Sequence, residues 1–127
     1  MGKSVNDGAA DAYLDYIKDN CNEMNLCSQE PTTYTEATST YELADVAMAS
    51  GDFTGPVDGD TSGRKITVAE KTGVTVDTTG TGNHVALTGT VDSTNTLLCV
   101  TTCPNVSVTA AGTIIFAAWD IEVGDPT

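Results

Sequence analysis

Four cysteines, one histidine and one Asp-Gly-Asp run are the residues whose types and spacing could do chemistry. Cys99 and Cys103 stand four apart, and with Cys21 and Cys27 they offer four thiolates, enough for a zinc site. On one extended strand, however, Cys99 and Cys103 would lie about 13 Å apart, too far to share a tetrahedral ion. Disulfides fit better. Cys27 and Cys103 fall at the ends of an early and a late strand. A bridge between them would close a long loop and contribute on the order of 4–5 kcal/mol in the entropic account. Cys21 could meet Cys99, Cys103 or a cysteine of another chain. The alternative is buried free thiols acting as small hydrophobes.

Asp58, Asp60 and Ser62, followed by Gly63, copy the first half of a calcium-binding loop. The second half fails: Ala69 takes the place of the bidentate glutamate, and Glu70 comes one residue late. A plain Asx/Gly turn is the simpler expectation. His84 is the sole imidazole, and no neighbouring Ser or Cys completes a triad with it, so a structural histidine is expected. No paired carboxylates, nucleophile elbow or phosphate cradle stands out. The expectation is a non-enzymatic protein with no catalytic residue, cofactor or metal ligand.

These residues must be carried by elements that the hydrophobic pattern defines. Residues 4–21 read as one amphipathic helix, with Ser4 and Asp7 resembling a capping box. Ala10, Tyr13, Leu14, Ile17 and Cys21 form an apolar stripe. Asp7, Asp11, Asp15 and Asp19 share another face, which reads as a solvated surface. Tyr13, Leu14 and Ile17 are candidate interface residues. A short strand follows from Met24. Residues 41–46 fit a strand or a helical turn equally. Residues 51–63 are rich in turns. Alternation then marks strands at 65–70, 74–76, 84–88 and 97–103, the last bounded by Pro104, and at 106–109. Residues 114–123 read as one long strand, bulged near Ala117-Ala118. Trp119 on it is a sheet anchor or an interface residue. The fold expected is mainly β: an antiparallel β-sandwich or barrel-like domain with one N-terminal α-helix. Residues 1–23 would be a helical arm and residues 24–127 the sandwich.

Charge narrows the function classes. The net charge is −13, and residues 72–127 contain no Lys or Arg. Phosphate backbones are gripped by cations, so nucleic-acid binding is not expected, nor is an anionic membrane surface. No segment reaches the roughly 20 apolar residues of a membrane span. The N-terminus lacks the apolar core of a signal peptide. Gly2 superficially fits a myristoylation signal, but the acidic run behind it argues otherwise.

The runs CSQEPTTYTEA, GDFTGPVDGDTSGRKITV, HVALTG, LLCVTTC and AWDIEVGDP carry a resemblance. From about Asn25 onward the chain resembles small acidic virion proteins of tailed bacteriophages, a group that includes capsid decoration (cement) proteins. The resemblance implies a structural protein made in the bacterial host cytoplasm. It would sit on the virion capsid surface and stabilise it. Its partners would be the major capsid protein and neighbouring decoration subunits. The resemblance implies Cys27 and Cys103 as positions of the group, whereas Cys21 and Cys99 look like additions, which suggests cross-linking between subunits. The alternatives are a tail, neck or fibre component, or a host- or glycan-binding β module.

Overall fold

A computed structural model describes residues 4–126; Gly2 and Lys3 lie outside the described residues. The helix α1 spans Asp7–Asn20. Its N-cap is Asn6, not Ser4: the Asn6 side chain accepts from the Ala9 N–H at 3.1 Å. Asp7 in the first turn and Lys18 in the last complement the helix dipole. The chain passes without a loop into β1 (Cys21–Cys27).

Eight more strands follow among the described residues: β2 (Glu42–Ala47), β3 (Phe53–Asp58), β4 (Arg64–Val68), β5 (Lys71–Thr75), β6 (Gly80–Val91), β7 (Thr94–Val108), β8 (Thr113–Phe116) and β9 (Trp119–Val123). All pairings are antiparallel. One sheet runs β2-β1-β6-β7, a second β3-β4-β9, and β5-β8 form a ribbon. A bridge between Ala44 and Val76 ties the ribbon to β2. The protein is thus mainly β, with antiparallel sheets and one N-terminal helix.

The sheets enclose one principal core. Met24, Leu26, Val85 and Leu87 of the first sheet meet Phe53, Ile66, Val68 and Ile121 of the second, with Val74 and Phe116 from the ribbon. Leu14 and Ile17 of α1 belong to this same cluster. The helix is therefore part of the domain and not an arm at 1–23. Where it runs into β1, Gly89 of β6 permits a backbone approach: a Cβ there would collide with the Asn20 carbonyl oxygen.

Several boundaries differ from the sequence expectation. Pro104 lies inside β7, which tolerates it because β7 is an edge strand. Between the strands expected at 84–88 and 97–103 the turn is only Asp92-Ser93, both at positive φ, between Val91 and Thr94. The long strand expected over 114–123 divides at Ala117-Ala118, so that β8 pairs β5 while β9 pairs β4.

Candidate functional site

The four cysteines do not come together. β6 lies between β1 and β7. Two strand spacings are about 9.6 Å, beyond the roughly 7 Å that a disulfide spans between Cα atoms. Cys27 also packs with Ala37 and Ala86, on the face opposite the principal core, whereas Cys103 packs against that core. All four are free thiols, and the expected Cys27–Cys103 bridge is not made. The two most buried serve as hydrogen-bonding hydrophobes. Burial pushes Cys21 up to about 11 and Cys27 up to about 12. The Cys21 Sγ donates to the Glu23 carbonyl and the Cys27 Sγ to the Ala37 carbonyl, each at 3.5 Å. Thiols held so far above neutrality do not supply thiolate for nucleophilic chemistry.

His84 stands opposite Cys27 in the β1–β6 register. Its Nδ1 lies 2.6 Å from the Asn83 Oδ1. The protonated Cys27 bonded to Ala37 leaves this pair no nucleophile to activate.

The Asp58–Gly63 loop has the opposite polarity to a calcium site. Its backbone N–H groups at Asp60, Thr61 and Ser62 all donate to the Glu122 carboxylate, at 2.9–3.2 Å. These bonds hold the Glu122 carboxyl below its usual range. The loop acidic groups face cations of this chain: Asp58 pairs with Arg64 at 2.8 Å and Asp60 with Lys65 at 2.7 Å. The Ser62 Oγ accepts from the Asp125 N–H. The loop is a turn wrapped round a carboxylate from β9, a contact invisible in sequence because Glu122 is so distant.

The other cations are similarly engaged. Arg64 reaches Asp11 of α1 at 2.8 Å, Lys65 also meets Asp120 at 3.2 Å, and Lys71 meets Asp52 at 2.7 Å. Lys18 donates to the Gly55 carbonyl at 3.1 Å. Each of the four described cations thus has a partner within the chain.

Of the candidate interface residues, Leu14 and Ile17 are fully buried and are corrected to core residues. Tyr13 is 53% exposed, and Tyr16 beside it is 46% exposed. Helical spacing grouped Tyr13 with the buried stripe, but of the stripe residues on α1 only Ala10, Leu14 and Ile17 are buried. Trp119 is half-buried at the start of β9, and its indole N–H is buried without a partner.

Glu42, Asp45 and Asp77 form a group that sequence reasoning missed: they bring one carboxylate oxygen each within 4.8 Å of one another. An irregularity at Leu26/Cys27 in the β1–β2 pairing leaves Leu43 without an opposite residue, which puts Glu42 and Asp45 on one face. Asp77 arrives because its N–H bonds to the Leu43 carbonyl at 2.7 Å. Burial, then hydrogen bonding and charge from Asp77 and Asp45, pushes Glu42 up to about 8. The folded chain holds this proton more tightly than the unfolded chain. Its stabilisation is therefore complete below the ordinary value of 4.5 and is lost as pH rises through about 8. Glu42→Gln removes that loss. After allowance for solvent screening, the variant should be more stable than the parent by about 1–2 kcal/mol near pH 9, and close to it near pH 4. Urea unfolding at both pH values measures this. Parallel pH profiles for the two proteins would contradict it.

No protein-family model, curated protein or solved structure matches this chain.

Proposed function

We propose that the protein is a non-enzymatic structural component of a tailed-phage particle, bound to the outside of the capsid and stabilising it. The resemblance of the strings from Asn25 onward supports the choice of family. The observation that carries the reading is the placement of charge. Each described cation bonds within the chain: Arg64, Lys65 and Lys71 to carboxylates at 2.7–3.2 Å, and Lys18 to a backbone carbonyl. Five of the 18 acidic residues (Asp11, Asp52, Asp58, Asp60 and Asp120) take part in these ion pairs, so the outward field is that of the remaining carboxylates. Such a surface repels DNA, stays soluble before assembly, and suits a basic patch on a shell subunit. The partners proposed are the major capsid protein and adjacent decoration subunits, with Tyr13 and Tyr16 as exposed aromatic contacts.

Purified particles should contain the protein, and cryo-electron microscopy should place its density on the capsid exterior. The isolated protein should co-sediment with emptied shells and be released as salt rises. Absence from particles, or density on the tail alone, would overturn the reading.

A further inference from the structure

We infer that Glu42, Asp45 and Asp77, together with the side-chain carbonyl of Asn25, bind one calcium ion. The inference does not rest on the virion reading. The three carboxylates bring an oxygen each within 4.8 Å of one another, close enough for one ion to bridge them. Glu23 of β1 shares their field. Burial and then the charge of Asp45 raise its carboxyl, and hydrogen bonding from Asn25 offsets part of this. No described Lys or Arg pairs with any of these four acids.

Asn25 points to a ligand independently of the acidic group. It is fully buried, and its Oδ1 has no hydrogen-bond partner. Asn25 stands opposite Asp45 in the β1–β2 pairing. Its Nδ2 donates to the Thr88 Oγ1 at 3.2 Å, and Thr88 stands opposite Glu23 on β6. The amide nitrogen is therefore turned towards β6 and the Glu23 end of β1. The oxygen, on the other branch of the amide, is turned towards β2 and the Cys27 end, where Glu42 pairs. The Glu42 Oε1 is also buried without a partner. Buried oxygens that lack a donor are costly, and a cation satisfies them. Oxygen ligands without nitrogen or sulfur select a hard ion. An ion at roughly 2.3–2.6 Å stands nearer its ligands than a hydrogen-bonded water at about 2.7 Å, so it fits a gap that excludes water. Asp45 and Asp77 are exposed, which gives the ion entry and leaves room for waters to complete its shell. Calcium accepts such an irregular set, whereas magnesium demands a near-ideal octahedron. The ion replaces the proton that Glu42 otherwise holds.

Isothermal titration calorimetry tests the site on the intact, chelator-treated chain near pH 8, where Glu42 gives up its proton. Calcium chloride and magnesium chloride are titrated separately. Calcium should bind saturably at one equivalent with a Kd below about 1 mM, and magnesium at least about tenfold more weakly. Asp45→Asn and Asp77→Asn alter exposed side chains and should each weaken calcium at least about tenfold. Asn25→Ala, which deletes the carbonyl, should weaken it about fivefold. Asp19→Asn removes an exposed charge on α1 and should leave the affinity unchanged. Calcium should also raise the melting temperature of the parent but not of Asp77→Asn. Circular dichroism identifies any variant that fails to fold, and the others then decide. Absent or unsaturable calcium binding by the parent, magnesium binding as tight as calcium, undiminished binding by folded Asp45→Asn, Asp77→Asn or Asn25→Ala, or an equal loss in Asp19→Asn would each overturn the inference.

Discussion

Leu14→Ala should destabilise the protein by about 3 kcal/mol, whereas Tyr13→Ala, one position earlier on the same helix, should change stability by about 0.5 kcal/mol or less. Leu14 is completely buried in a cluster with Met24, Ile66 and Leu87, and Tyr13 is 53% exposed. Truncating Leu14 removes its transfer free energy and leaves a cavity that surrounding strands cannot all close. Truncating Tyr13 removes a side chain that mostly faces water. Urea unfolding monitored by circular dichroism measures both. Equally small effects of the two would mean that the helix is a detachable arm, and the reverse ranking that Tyr13 and not Leu14 packs against the sheets. Because Tyr13 is proposed as a contact, Tyr13→Ala should instead weaken shell binding at unchanged stability.

Gly89→Ala should cost about 3 kcal/mol or more, a large effect for one methyl group. Its Cβ would collide with the Asn20 carbonyl oxygen and come within 3.1 Å of the Cys21 Cα. Both are backbone, at the point where α1 becomes β1, so relief requires moving the helix or the strand. Gly51→Ala is the matched control. A Cβ at Gly51 has nothing within 4 Å and no positive φ stands in its way, so that variant should be neutral or slightly stabilising through the unfolded state. Thermal unfolding of the two side by side distinguishes them. Similar melting temperatures would refute the clash.

The elements with strong local patterns are legible in the sequence. Arg64–Val68 alternates, with Ile66 and Val68 buried, and 97–103 lies within β7. Tyr41, Leu43 and Val46 fit two periods equally, and pairing with β1 decides for a strand. Other features depend on partners far along the chain. TTGTG around residue 80 reads as a turn, but Gly80–Gly82 pairs with β7, and Gly82 leaves room for Leu26. Asp92-Ser93 lacks the Asn-Gly signature of a two-residue turn, so the pattern points to a longer loop than the hairpin contains. The cysteine pairing fails for a topological reason. Placing β6 between β1 and β7 is a decision of strand order, which spacing alone does not carry. The acidic group at Glu42, Asp45 and Asp77 needs both a bulge and a distant turn, and neither leaves a local sequence signal.

The pairing of β4 with β9 sets a timetable for biosynthesis. Lys65 and Asp120 bond across these strands from positions 55 residues apart. At about 5–20 residues per second, a ribosome that has finished β4 needs roughly 3–11 seconds to supply β9. During that interval the β3–β4 hairpin has one edge unpaired, and Ile66 lacks its partner Ile121. The second sheet therefore closes only after β9 has cleared the ribosome, and the nascent chain is most open to wrong strand pairing just before then.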